Sequence, residues 1–335
     1  MTRVRILILM TMLLGTLVPG GLVGEQAQTL ASPLPSVVPA VDGIFVAFQS
    51  HSIVGIADWH GLAQEEDFYI DLIRDPRFTE EIGNVVVEFG GAAQQDTIDR
   101  YVAGEDIPYE QLRRVWTDTV GWLPTVTALG YLNFFAQVRV VNEGRPLSER
   151  IHIWLGEPPI DWSQIKTSAD LTQIPQRDRY PAELIKSQIL AKHRKALVIY
   201  GSLHFFGLEG LEGLKPLVEQ SYPGAFFVVT PYRGTQNRAD SDSFERNMES
   251  WRSGLFATAA KGTRALLLKA DHNLWAIGDA LLYLGPATSL TQSPISPDLY
   301  LDSAFRREIN RRSLIVIGTP LEATKPLMSP NFIGR

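Results

Sequence analysis

The chain has 335 residues, 45% of them apolar, a formal charge of −6 and no cysteine. Such a composition supports a large buried core, while the lack of cysteine excludes disulfides, thiolate ligands and a cysteine nucleophile. A modest acidic balance without a Lys/Arg block gives no electrostatic basis for a nucleic-acid partner.

At the start, Thr2, Arg3 and Arg5 form a polar, basic stretch, followed by the apolar run Ile6 to Val18 and the break Pro19-Gly20-Gly21. The run is shorter than the roughly 20 residues of a membrane span and fits a secretory signal. We expect a signal peptide over residues 1–24, with Ala31 as a second cleavage point and an uncleaved anchor as the alternative. Both place the folded part in the periplasm or outside the cell, with no stable membrane span after cleavage, and without cysteine the chain is no lipoprotein. Residues 25–42, rich in Gln, Ser, Pro and Ala, read as a linker.

The body, residues 43–320, reads as a single α/β domain before a C-terminal tail at 321–335. Ile44 to Phe48 and Ile53 to Ala57 are β-like runs separated by Gln49-Ser50-His51-Ser52, a hairpin signal. The second run ends at Asp58-Trp59-His60-Gly61, and a helical pattern follows from Glu65 to Ile73. Asn84 to Phe89 is a buried-type strand ending in Glu88 and Gly90, as parallel strands covered on both faces do. From Gln95 to Val141 the pattern is mostly helical, and Ile151 to Leu155 resumes a strand that Glu157-Pro158-Pro159 ends. Ala182 to Lys192 is helical and leads into the strand Ala196 to Tyr200, closed by Gly201-Ser202-Leu203-His204. Further strands are expected at Ala225 to Thr230, Ala265 to Leu268 and Ala280 to Leu284, and a charged helix over Asp302 to Arg312. Alternation of strands and helices predicts a three-layer α/β/α sandwich with a parallel or mixed sheet. Residues 92–150 exceed a plain crossover and are read as a helical insertion roofing the sheet's C-terminal edge.

Three apolar strands end in reactive side chains: Asp58 and His60, Glu88, and His204. Ligands of open α/β sheets bind beyond the carboxyl ends of strands, so these side chains meet if the strands are parallel neighbours. Two imidazoles with carboxylates suit a divalent metal held by Asp58, His60, Glu88 and His204. They equally suit a metal-free site in which a histidine takes a proton from water while a carboxylate orients its ring. His51, His152 and His193 lack this context and read as turn, strand-face and helix-surface residues, with His272 ambiguous. Arg177 or Asp178 is expected to face the same edge, Asp178 having helix capping as its simpler role. Asp279 precedes a strand and reads as structural. A nucleophile elbow, a phosphate loop, a dinucleotide fingerprint and a His-Glu-x-x-His motif are all missing.

Ile56-Ala57-Asp58-Trp59-His60-Gly61, Val85-Val86-Val87-Glu88-Phe89 and Val198-Ile199-Tyr200-Gly201-Ser202-Leu203-His204 occur in an order that resembles one superfamily. It joins the erythromycin esterase-like proteins, the ChaN-like haem-binding lipoproteins and the TraB/Tiki metalloproteases. Arg177-Asp178-Arg179-Tyr180-Pro181-Ala182 resembles the Asp-x-x-Met-Ala helix start of these families, with Pro181 where Met is usual. Asp58 stands where an esterase-like member has Glu. The likeness runs over residues 43 to 318 through short motifs only. It implies His60 as water-activating base or metal ligand, with Glu88 and His204 completing the site.

The expected function is therefore an exported hydrolase of esterase or protease class, cleaving an ester, lactone or peptide bond in a small-molecule or peptide substrate. The alternative is a haem- or metal-binding protein without catalysis, with haem ligation falling to His or Tyr. Trp122 and Phe135, among Trp116, Tyr131 and Phe134, are expected to line an aromatic cleft over the strand ends and bind substrate together with Arg177 and Asp178.

Overall fold

The computed structural model describes residues 37–121, 125, 127–207, 212–234, 238–257 and 278–321. Among the described residues, eight strands form one sheet in the order β1-β7-β8-β6-β2-β5-β3-β4. They are β1 (Val37–Pro39), β2 (Ile53–Asp58), β3 (Asn84–Gly91), β4 (His152–Glu157), β5 (Ala196–Gly201), β6 (Phe226–Pro231), β7 (Gly254–Ala257) and β8 (Ala280–Tyr283). The six strands from β8 to β4 are parallel, and β7 runs antiparallel between β8 and β1. The central strands β2 and β5 are buried along their whole length, which is why they read as unbroken apolar runs.

Alternation along β5 sends Leu197 and Ile199 to one face of the sheet and Val198 and Tyr200 to the other. The first face is covered by helices at Ala40–Ser50, Ala63–Arg74, Gln95–Val102, Tyr109–Thr117 and Leu129–Asn142. The second is covered by Arg179–Leu184, its π-helical continuation Ile185–Ile189, Ser202–Phe206 and Leu214–Glu219. The three-layer α/β/α architecture is the one the strand–helix alternation predicts. A last helix, Ser303–Val316, is capped by Asp302, whose carboxylate accepts from Ala304 N and Phe305 N.

Two local expectations are corrected. Ile44 to Phe48 lies in a helix, not in the first strand of a hairpin. Ala40, Gly43, Ile44 and Ala47 are buried while Val46 is 60% exposed; helical spacing explains that pattern and strand alternation, which would bury Val46 beside Ile44, does not. The folded body also begins inside the segment read as linker, because β1 pairs with β7 and the helix starts at Ala40.

In the 92–150 segment the described helices form part of the first layer on the sheet. Among its described residues, the helices Gln95–Val102, Tyr109–Thr117 and Leu129–Asn142 lie on the face of β3 and β4, within the connection between those two parallel strands. The turn after the Tyr109–Thr117 helix reaches the C-terminal edge, where Val120 N and Gly121 N donate to Glu157 Oε2 at 3.0 and 3.1 Å, and the Leu129–Asn142 helix reaches it through the Tyr131 hydroxyl. Phe135 is accordingly 0% exposed and packs on Phe89 at 5.5 Å between ring centroids. Trp116, Tyr131 and Phe134 are buried in the same cluster, so these rings are core and not the wall of a cleft. Trp122, the signal segment, the Ala265–Leu268 run, His272 and residues 322–335 lie outside the described residues.

Phe135→Ala should therefore lower unfolding stability by about 3–5 kcal/mol, the cost of emptying an aromatic-sized space in a packed core. Urea unfolding followed by near-UV circular dichroism checks this. A loss below about 1 kcal/mol would put the ring in a cleft after all.

Candidate functional site

The strand order brings the predicted side chains together. β5 lies between β2 and β3, so Asp58 at the end of β2, Glu88 in β3 and the turn after β5 share one edge. β3 continues past Glu88 to Gly91, and its register against β4 shifts between Val87 and Gly91. A bulge of this kind re-aims a side chain, and here it sits at the carboxylate. Gly201 ends β5 and donates its N–H to Glu88 Oε2 at 2.5 Å. A Cβ on Gly201 would stand 2.8 Å from His60 Nε2 and 3.1 Å from Glu88 Oε2, so only glycine lets the three groups approach.

Two histidine–aspartate pairs flank Glu88. His60 Nδ1 is 2.7 Å from Asp58 Oδ2, and His204 Nδ1 is 2.6 Å from Asp178 Oδ1. The opposite ring nitrogens both face the glutamate: His204 Nε2 at 3.3 Å from Oε1 and His60 Nε2 at 3.9 Å from Oε2. The His60 side chain is 22% exposed, the Glu88 side chain only 6%. Asp178 stands at the start of the Arg179–Leu184 helix, but its carboxylate caps nothing there. Its second oxygen accepts from Gly213 N at 3.0 Å.

Arg177 bridges Glu88 Oε1, at 2.6 Å from Nη2, and Glu157 Oε1, at 2.7 Å from Nε. Gly121 makes room for it, since a Cβ there would lie 2.3 Å from Nη2. Behind His60, Asp58 accepts from Tyr69 OH at 2.7 Å on Oδ1 and from Tyr131 OH at 2.8 Å on Oδ2. Glu65 Oε2 accepts from Trp59 N at 2.8 Å and holds the loop that carries His60.

The electrostatics follow from this packing. Burial disfavours charge on Glu88, but His204, His60 and Arg177 outweigh it and hold its carboxyl well below the usual range. Burial likewise opposes a charged His60, and Glu88 with the Asp58 hydrogen bond still raises its pKa above the usual imidazole value. For His204 the same balance, with Glu88 and Asp178 prevailing over burial, pushes the pKa up to about 9. Glu157 is raised by burial against the pull of Arg177.

A divalent metal on Asp58, His60, Glu88 and His204 does not fit this arrangement. Asp58 is turned behind His60, and its oxygens already accept from two tyrosines and the ring. Glu88 carries a guanidinium on one oxygen and a backbone N–H on the other. Among the described residues no group of three or more His, Asp or Glu is arranged to hold a metal ion. Nor do the buried rings of Tyr131, Phe134 and Phe135 offer a flat face for haem.

Sequence reasoning missed Glu157, 0% exposed, although it ends an apolar strand as Glu88 does. It also missed Tyr69, Tyr131 and Glu65, whose helical spacing shows only that they face inward. His152 sits at the start of β4 and His193 at the helix end with φ 55°, both away from this edge. Asp279 accepts from Val228 N and Lys215 Nζ, the structural role expected of it.

No protein-family model and no curated protein sequence matches the chain. The structure is similar to that of a Bacillus cereus protein, with TM-score 0.50 and 11% identity over 76% of this chain and 93% of that one. A succinoglycan biosynthesis protein gives TM-score 0.49 and 9% identity over 76% and 92%. ChaN of Campylobacter jejuni, solved with cofacial haem, gives 0.37 and 14% over 58% and 86%. At such identities the Bacillus cereus likeness is one of fold, and it agrees with the α/β architecture. Among the described residues no helix is long and apolar enough to cross a membrane.

His204 yields a signed prediction. Its pKa in the fold, about 9, lies above the ordinary 6.5. Its contribution to stability is therefore complete below pH 6.5 and is lost as pH rises through about 9. The thermal midpoint should fall across that window, and His204→Gln should flatten the fall. An equally steep fall in the variant would contradict the assignment.

Proposed function

We propose that the chain is an exported hydrolase that activates water at His60 without a metal. One observation carries the reading: two imidazoles present Nε2 toward one ionised glutamate while buried aspartates hold both Nδ1 atoms. An aspartate on Nδ1–H leaves the lone pair on Nε2, and the more exposed His60 is the ring that water can reach. In the reaction the water oxygen bonds the carbonyl carbon of an ester, lactone or amide as its proton passes to His60 Nε2. The tetrahedral intermediate then expels the leaving oxygen or nitrogen, which takes the proton back from His60. His204, charged at neutral pH, and Arg177 keep Glu88 ionised, and the positive field they supply favours the oxyanion. The order of the Asp58-Trp59-His60, Glu88 and His204 motifs, which resembles the erythromycin esterase-like proteins, supports the same reaction class. Export rests on the basic and apolar opening of the sequence.

The test is a screen of ester, lactone and peptide substrates on the purified protein. Turnover should rise with pH above the usual imidazole range as His60 loses its proton, and decline as His204 does near pH 9. His60→Gln should lower kcat by about 10²–10⁴-fold, and a chelator should leave it unchanged. Activity abolished by chelation and restored by one divalent cation would replace this reading with a metal-dependent one. No turnover, together with a Soret band on adding haem that His60→Ala removes, would replace it with haem binding.

A further inference from the structure

Asp58 is 4% exposed and accepts three hydrogen bonds, more than the orientation of one imidazole requires. Two of the donors are phenols from different helices of the first layer, Tyr69 on Ala63–Arg74 and Tyr131 on Leu129–Asn142. Both are buried, at 0% and 1% exposure. Their rings cannot swing away. Tyr131 stacks on Phe89 at 4.3 Å and 19°, and Tyr69 meets Phe134 edge-on at 6.5 Å. Phe89 follows Glu88 in β3, so the strand that aims the glutamate also seats the Tyr131 ring. Tyr131 OH bonds the same oxygen as His60 and lies 3.3 Å from His60 Nδ1.

We propose that Tyr69 and Tyr131 are positioning residues that set the proton affinity of His60 by drawing charge from Asp58. A carboxylate that shares its lone pairs with two phenols is a weaker partner for an imidazolium than one facing the ring alone. His60 is thereby kept from binding its proton too tightly to act as a base. The device is needed because the other carboxylate in reach, Glu88, pulls in the opposite direction. The phenols remain donors at all working pH values, since burial, then Asp58, pushes both well above the ordinary tyrosine range.

The charged and titratable groups around the pair are few in kind. From the Ala63–Arg74 helix come Glu65 and Glu66. Burial and then the Asp58 charge push Glu65 far up, and burial, over a hydrogen bond from Ser293, takes Glu66 to about 8. Glu66 is therefore largely protonated near neutrality and adds little negative charge. β3 contributes Glu88, the short helix Ser202–Phe206 after β5 contributes His204, and Arg177 and Asp178 precede the Arg179–Leu184 helix. Arg233, beyond β6, stacks over the Trp59 ring at 3.4 Å and acts on Glu65. The Tyr131 hydroxyl bonds Asp58 and meets His60, so Tyr131→Phe isolates its effect, whereas the Tyr69 hydroxyl also bonds Glu65.

A simpler view is that the phenols only satisfy a buried carboxylate, in which case their loss lowers stability without moving His60. The proposal rests on His60 as the base, but its test needs no substrate, so a failure of hydrolysis leaves this measurement intact. Protein with isotope-labelled histidine is titrated by NMR, the His60 signal being assigned with His60→Gln. Tyr69→Phe and Tyr131→Phe should each titrate at higher pH than wild type, and the double variant higher still. In an Asp58→Asn background the same replacements should leave the His60 midpoint where it is, since the phenols act through the carboxylate. Fluorotyrosine, a stronger donor that keeps every hydroxyl, should lower the midpoint in the wild type, and it serves if a phenylalanine variant fails to fold. An unchanged or lower midpoint in the folded phenylalanine variants overturns the proposal. So does a shift that persists in the Asp58→Asn background, or an unmoved midpoint in fluorotyrosine protein.

Discussion

The Glu88 carboxylate is ionised in a place that water barely reaches, and the surrounding structure is arranged around that charge. An isolated carboxylate at this depth would take up a proton. Glu88 stays charged because Arg177, His204 and the Gly201 N–H lie within 2.5 to 3.3 Å of its oxygens and His60 stands just beyond. Each partner imposes a condition on the backbone. The bulge in β3 aims the carboxylate. Gly201 leaves room for it beside His60, and Gly121 leaves room for Arg177. Glu157 anchors the far side of the guanidinium. Removing one partner of such a buried pair strands the other, which commonly costs about 3–5 kcal/mol, so these residues form one unit.

The two histidines look alike in sequence and differ in setting. Both have an aspartate on Nδ1 and the glutamate on Nε2, yet the His204 side chain is 10% exposed and the His60 side chain 22%. His204 bonds Glu88 at 3.3 Å, whereas the 3.9 Å from His60 is too long for a hydrogen bond. Similar chemistry thus yields one ring committed to the glutamate and one able to exchange a proton with a bound molecule. Environments that separate two like groups in this way are a recurring means of dividing acid and base duties.

Much of this was legible in the sequence because parallel strands buried on both faces are unbroken apolar runs, and the polar residue that ends such a run lies at the ligand-binding edge. Asp58, His60, Glu88 and His204 were found that way. Glu157, at the end of β4, satisfies the same rule. Arg177 and Asp178 were placed at the edge by connectivity, but their partners were hidden, since a salt bridge to a residue 89 positions away leaves no local pattern. The aromatic run of the 92–150 segment misled for a physical reason. Large rings serve equally to pack a layer on a sheet and to wall a pocket, and composition does not separate the two uses. The Ile44 to Phe48 run misled because a short apolar stretch fits both periods until the exposure of Val46 is known.

If one ionised glutamate sets the charge of both rings, then Glu88→Gln, which keeps the shape and an acceptor for Gly201 N–H, should change both at once. NMR titration of labelled histidines in that variant measures this directly. The account predicts that the midpoints of His60 and His204 both move down, because the glutamate charge is the largest influence raising each of them against burial. Midpoints that stay at their wild-type positions in the folded variant would contradict it.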